Sequence, residues 1–271
     1  MIIERILARS AGVIREIQRH PFNQQLYQGT LPRDKFISFL KQDAEYLRGF
    51  SHALDLLSRR FDNNRLLAQR CRWFSTEMID SEKKLQSRYL YESGSPTFFS
   101  TPYRVTPKIP AIQYYTTYQA QMAQHAPIEE AVSCLSSCYW IYHQLGQQMK
   151  IDNLDTNPYQ RWITSYSSKQ FTIATQLMIE TLHDLGSPIT CEKSQEKMIV
   201  SFYQSAQYEL MFYDAILPRV NPQGAVMPMD LKIYETPVLI KGTLRYYVAY
   251  QHSYGLSHGT VADATQFNVT S

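Results

Sequence analysis

Two acidic side chains and one thiol fall where amphipathic helices should present only apolar groups. Asp43 lies three residues after Leu40 and four before Leu47, on the inward stripe of a helical repeat. Tyr46 shares that face one turn on. A carboxylate turned away from water is costly unless it is paired or put to use. Two readings stand for Asp43: a carboxyl bonded to a neighbouring hydroxyl to fix packing, or a perturbed functional acid. Glu209 interrupts a second stripe, Ile199, Phe202, Ala206 and Tyr213. Two inward carboxyls on separate helices suit acid–base work, or half of a metal site. On a third helix Ala131, Leu135, Cys138, Tyr142 and Leu145 line one face, so Cys138 and Tyr142 are neighbours. A buried cysteine by itself is an inert small hydrophobe. Beside a hydroxyl and two inward carboxyls it becomes a candidate nucleophile. Cys134, one turn away, is assigned to the core, because adjacent helical turns present thiols badly for a disulfide.

Tyrosines gather near these positions. Tyr114, Tyr115 and Tyr118 follow a proline-rich stretch, and Tyr159 and Tyr166 flank Trp162. They read as amphipathic core or as the walls of a pocket for a flat ring. Glu180 and His183 match the Glu-x-x-His spacing of di-iron bundles, but only one copy is present where two are normally needed. No metal or other cofactor is expected. Neither GxGxxG, GxxxxGK[ST] nor GxSxG occurs.

The elements that must position these groups are helical over most of the chain. The spacing predicts a helix over 1–19, stopped by His20-Pro21. Gly29-Thr30-Leu31-Pro32 then punctuates, and a long helix runs to about Arg60 on Phe36, Leu40, Leu47, Phe50, Leu54 and Leu57. A helix over 62–92 carries Leu66, Leu67, Phe74, Met78, Leu85 and Tyr89. Five prolines and glycines make 93–110 a loop. Helices resume at 111–124, 127–149, 158–166, 168–185 and 192–216. From 219 the texture changes: prolines break any helix, Thr236–Tyr250 reads as one or two strands, and the tail from Ser257 as frayed. The expected organisation is a helical domain, 1–218, and a C-terminal extension, 219–271, of unknown function and possible β structure.

Composition excludes several classes. Of 271 residues 44% are hydrophobic, enough for a sizeable core. A net charge of +3, evenly spread, gives no footprint for nucleic acid. No 18-residue apolar run is present, so no membrane span is expected. The charged N-terminal stretch does not read as a signal peptide. Four cysteines without a CxxC pair suggest a reduced, cytoplasmic protein.

His20-Pro21-Phe22, Gly29-Thr30-Leu31-Pro32, Phe36, Gln42-Asp43-Ala44-Glu45-Tyr46-Leu47, Cys138-Tyr139-Trp140-Ile141-Tyr142, Tyr159-x-x-Trp162-Ile163-x-x-Tyr166 and Tyr208-Glu209-x-x-Phe212, in this order, resemble the TenA family (thiaminase II, aminopyrimidine aminohydrolase). The resemblance spans about residues 1–216. It implies an all-α, haem-oxygenase-like bundle without haem, commonly a homotetramer. The implied reaction is hydrolysis of 4-amino-5-aminomethyl-2-methylpyrimidine to the hydroxymethylpyrimidine for thiamin salvage, with thiamin cleaved at the same methylene. Position by position, Cys138 would attack the ring carbon next to the bridge-bearing carbon. Glu209 would handle the ring-nitrogen proton, and Asp43 would hold the exocyclic amino group. Tyr46, Tyr115, Tyr142 and Tyr166 would wall the pocket, with Tyr114 an alternative to Tyr115.

The chain departs from the family pattern at Ser137, where proline often precedes the cysteine, and at Tyr213, where tryptophan often follows the phenylalanine. The segment 219–271 matches nothing in the pattern. Two other readings are a pyrimidine-binding or regulatory protein without turnover, and a metal-dependent oxidase on the same bundle.

Overall fold

The computed structural model describes residues 1–61, 64–78, 80, 84, 89, 107–148, 154–220, 237–240, 243–247 and 261–263. The chain divides into two compact units, residues 1–219 and 220–271. Every regular element described in the first unit is helical.

Helix α1 (Ile2–Arg19) turns Ile2, Ile6, Val13, Ile14 and Ile17 inward. His20 and Pro21 end it as the spacing predicts, but they also begin α2 (Pro21–Gln28), a helix the periodicity does not reveal. The His20 Nδ1 accepts the Phe22 N–H at 3.1 Å and so caps the new helix. With that nitrogen occupied as an acceptor, Nε2 is left to donate to Asp214, 3.2 Å away. Proline at the first turn has a suitable φ and no N–H to waste. At the far end of α2 the Asn157 amide donates to the carbonyls of Leu26 and Tyr27 at 3.0 and 2.9 Å.

Helix α3 (Arg33–Ser58) is the long second repeat. Helix α4 (Arg65–Trp73) follows, capped by the Asn64 carbonyl on the Leu67 N–H, and passes into a π turn at Phe74–Met78. Leu66, expected on the inward stripe, is exposed; Leu67, Ala68 and Cys71 are the buried side. One apolar residue too many for a 3.6-residue face made the stripe ambiguous there. Of the rest of that expected helix only Asp80, Lys84 and Tyr89 are described, all helical, and residues 93–106 of the expected loop lie outside the described residues. The Gln42 amide bonds the Pro107 carbonyl and the Ile109 N–H at 3.0 and 2.9 Å, fixing the chain as it enters α5 (Pro110–His125).

Helices α6 (Ile128–Gln148), α7 (Gln160–Tyr166), α8 (Lys169–Gly186) and α9 (Glu192–Ile216) complete the unit. Helix α6 is central: α9 and α8 pack along it, α9 also packs on α1 and α5, and α3 lies against α5. The core is aromatic. Phe39 stacks on Phe212 and Tyr213 at centroid distances of 5.0 and 5.9 Å, with Phe22 at 4.8 Å.

Two glycines allow helices to come close enough to build a small site. A Cβ on Gly49 would fall 2.5 Å from the Thr116 Cγ2, so only glycine lets α3 meet α5 this way. A Cβ on Gly146 would collide with the Tyr166 carbonyl and lie 2.8 Å from the Ser167 nitrogen. Gly146→Ala therefore forces backbone against backbone. We expect it to cost about 2 kcal/mol in urea unfolding, a typical penalty for overpacking. An unchanged urea midpoint would contradict the close contact.

In the second unit β1 (Pro237–Ile240), β2 (Thr243–Tyr247) and β3 (Val261–Asp263) form an antiparallel sheet in that order, with Val238 opposite Arg245 and Arg245 opposite Asp263. The two strands within 236–250 agree with the β-branched texture. The third falls within the tail expected to fray: residues 261–263 pair with β2, three residues being too few for a strand signal, and the rest of the tail from Ser257 lies outside the described residues.

Candidate active site

Five helices converge on one cluster. Helix α3 brings Asp43 and Tyr46, α5 brings Tyr115, α6 brings Cys138 and Tyr142, α7 brings Tyr166, and α9 brings Glu209. All are buried except Cys138, which is half-buried. Each is inward because its helix turns that face to α6 or α9, as the interrupted stripes require.

Glu209 is 1% exposed. The Tyr142 hydroxyl donates to its Oε1 at 2.9 Å, while Oε2 has no partner among the described residues. Burial pushes its carboxyl up to about 8; the Tyr142 hydrogen bond opposes this, the nearby Asp43 charge adds to it, and Tyr115 opposes it more weakly. At neutral pH the group therefore holds its proton and can donate it. Asp43 lies within electrostatic range of Glu209, Tyr142 and Tyr213.

The phenols form two stacks. Tyr46 lies on Tyr115 at 4.8 Å and 29°. Tyr142 lies on Tyr166 at 4.8 Å and 35°, with Trp162 edge-on to Tyr166 at 4.7 Å. The Tyr46 hydroxyl hydrogen bonds to Cys138. Desolvation raises Tyr46, Tyr115 and Tyr142 well above the ordinary tyrosine range, and neighbouring Cys138 or Glu209 charge adds to it. Held this way they stay neutral at ordinary pH, with a proton to donate in a hydrogen bond.

The structure thus brings together every residue singled out in the sequence for the site. Tyr115 is fully buried and Tyr114 is not, which resolves the choice between them. Cys134 is fully buried in the core, where burial raises its thiol far above its ordinary value. Glu180 is exposed and His183 stands 45% exposed, bonded to the Ser187 hydroxyl, so Glu-x-x-His points outward. Among the described residues no group of three or more His, Cys, Asp or Glu side chains is arranged to hold a metal ion. No described helix is long and apolar enough to cross a membrane.

Two buried polar residues beside the cluster escape the sequence reading, and a third, Ser137, enters it only as a departure from the family pattern. The Gln119 Nε2 donates to the Tyr46 hydroxyl at 3.1 Å, and the Ser205 hydroxyl to that of Tyr115 at 3.2 Å. Ser137, next to Cys138, has a buried hydroxyl without a partner among the described residues. A signal was present: Gln119 lies four residues after Tyr115 and Ser205 four before Glu209, so both share an inward face with a site residue. As neutral groups they did not stand out as charges do.

The chemistry available is nucleophilic addition by a sulfur and proton transfer by a carboxyl, with an acidic side chain and aromatic rings close by. Comparison with known proteins bears on which ligand. The sequence profile of the TENA/THI-4/PQQC family matches residues 7–70 and 103–218. The Aminopyrimidine aminohydrolase of Bacillus subtilis is 25% identical over 202 residues, 72% of this chain and 80% of that protein. The protein of that name from Helicobacter pylori is 27% identical over 209 residues, 72% and 88%. The Thiamine biosynthesis multifunctional protein ThiED of Corynebacterium efficiens is 28% identical over 208 residues, 76% of this chain, which spans only 27% of that longer protein. Among solved structures, a TenA homologue from P. horikoshii superposes with a TM-score of 0.69 at 23% identity, covering 80% of this chain and 98% of that one. A Shewanella denitrificans domain with a haem-oxygenase-like fold gives 0.56 at 11%, covering 79% and 91%.

Proposed function

The chain belongs to the TENA/THI-4/PQQC family, and on that premise we propose that it is a hydrolase, an aminopyrimidine aminohydrolase of the thiaminase II type. The observation that carries the reading is the meeting of Cys138, Glu209 and Asp43, far apart in sequence, within one wall of phenols. The names borne by the Bacillus and Helicobacter relatives support the substrate class. The substrate is 4-amino-5-aminomethyl-2-methylpyrimidine, with thiamin as a second ligand cleaved at the same methylene. A cytoplasmic setting and assembly as a homotetramer belong to this reading through the family resemblance.

A pyrimidine is a poor electrophile until a ring nitrogen takes a proton. The raised pKa of Glu209 keeps that proton available near neutrality. The Cys138 sulfur, soft and polarizable, adds to the ring carbon beside the one bearing the methylene, as Glu209 protonates the ring nitrogen. Asp43 accepts hydrogen bonds from the exocyclic amino group and so fixes the ring's orientation. The amine, protonated to its ammonium form, leaves the methylene as ammonia with the electron pair of its C–N bond; water adds there and releases a proton, and the ring expels the thiolate while returning its own proton to Glu209. Overall, water and the aminomethylpyrimidine give the hydroxymethylpyrimidine and ammonia, and no oxidant or reductant is consumed. The stacked tyrosines hold the flat ring and exclude bulk water from the adduct.

Assays on the aminomethylpyrimidine and on thiamin, side by side, test the reading. We expect the same hydroxymethylpyrimidine from both, with ammonia from the first and the free thiazole from the second. Tight binding of either compound by calorimetry with no product formed would overturn hydrolysis in favour of a binding protein.

A further inference from the structure

We propose that Gln119 is a positioning residue for Cys138: its amide N–H occupies the Tyr46 oxygen and so directs the Tyr46 hydroxyl proton onto the sulfur. The inference deepens the reading above and rests on Cys138 being the nucleophile. A phenol carries one proton. With the Gln119 Nε2 donating to the Tyr46 oxygen at 3.1 Å, that proton is left for an acceptor in front; the hydrogen-bonded neighbours there are Cys138 and the Tyr115 oxygen, and Tyr115 already accepts from Ser205 at 3.2 Å. A donor aimed at sulfur favours the thiolate over the thiol. A donor behind the phenol strengthens the bond in front of it.

Two observations set Gln119 apart from ordinary packing. It is fully buried with its carbonyl Oε1 unpartnered among the described residues, a cost that an apolar residue in the same place would avoid. The arrangement is also repeated: the Ser205 hydroxyl donates to the Tyr115 oxygen at 3.2 Å, and Tyr115 faces the Glu209 carboxyl. Two of the phenols beside the reacting groups, Tyr46 and Tyr115, are thus held from behind by a buried neutral donor. The titratable groups facing the Tyr46–Cys138 pair are Tyr115 from α5 and Glu209 from α9. Comparing variants at each pH cancels their own titration.

The test is the pH dependence of alkylation of Cys138 by iodoacetamide in the full chain, read by mass spectrometry of the Cys138 peptide so that exposed Cys191 does not interfere. Gln119→Met is expected to raise the midpoint by about half a pH unit, roughly a threefold loss of thiolate near neutrality. In a Tyr46→Phe background the same substitution should have no further effect, which a merely structural role for Gln119 would not produce. Gln119→Asn, polar but one methylene short, carries the same expectation and keeps the test open if Gln119→Met does not fold. An unchanged midpoint, a lowered one (the amide turned to accept from Tyr46), or an equal shift with and without the Tyr46 hydroxyl would overturn the proposal. Alkylation needs no substrate. A chain that turns over neither pyrimidine yet shows the Tyr46-dependent shift would retain the relay and lose the hydrolase reading.

Discussion

Cys138→Ser is expected to lower kcat/KM for the aminomethylpyrimidine by about a thousandfold or more, the scale on which removal of a nucleophile is felt. An alcohol in place of the thiol keeps the shape of the site but loses the polarizable, readily ionised atom that adds reversibly to an aromatic carbon. The fold should survive. Cys138 is half-buried, and exchanging sulfur for oxygen there should change stability by no more than about 1 kcal/mol. The measurements are product formation by chromatography and a thermal melt of the same sample. A variant that melts like the parent and retains a tenth of its activity would remove Cys138 from the chemistry.

Glu209→Gln should act on both rate and stability. The amide can hydrogen bond to a ring nitrogen but cannot give up a proton to it, so a loss of about a hundredfold to a thousandfold in kcat is expected. In the parent, loss of activity should set in as pH rises past about 8, where Glu209 ionises. The stability effect has a definite sign. Folded Glu209 titrates near 8 and an ordinary glutamate near 4.5, so between those values the folded chain holds a proton the unfolded chain has released. Stability then falls as pH rises across that window, by up to about 1.4 kcal/mol per pH unit, and is flat on either side as far as this group is concerned. Glu209→Gln removes the slope, so the variant should gain on the parent in urea unfolding between pH 5 and pH 8. Parallel pH profiles for the two proteins would show that the carboxyl is not held protonated by burial.

How much of this was legible in the sequence depends on the residue. Helix α9 was visible from end to end because a stripe from Ile199 to Tyr213 leaves Glu209 as the one charge on it. Asp43 and Cys138 stood out for the same reason. Tyr115 and Tyr114 could not be told apart, because adjacent residues differ by about 100° on a helix and only the packing against α9 selects one. Helix α2 was missed: eight residues between a proline and a glycine are too few for a periodic signal, and its ends are secured by His20 and by Asn157 from far along the chain. Gln119 and Ser205 were missed because uncharged polar residues are ordinary on a helix, and only their bonds to Tyr46 and Tyr115 give them meaning.

The helical unit also ends in a clasp. Burial alone would push the Asp214 carboxyl up, but hydrogen bonds from His20 and Arg219 overcome this and hold it below its ordinary value. The Arg219 guanidinium grips Asp214 with two nitrogens at 2.7 and 2.9 Å and reaches Glu16 on α1 at 3.1 Å. The last turn is thereby fastened to the first helix, so a pull on the polypeptide beyond 219 meets an anchor before it reaches α9. A stretch 28% identical to 208 residues of this chain makes up 27% of the longer Corynebacterium efficiens protein, and here the bundle is followed in sequence by a small sheet.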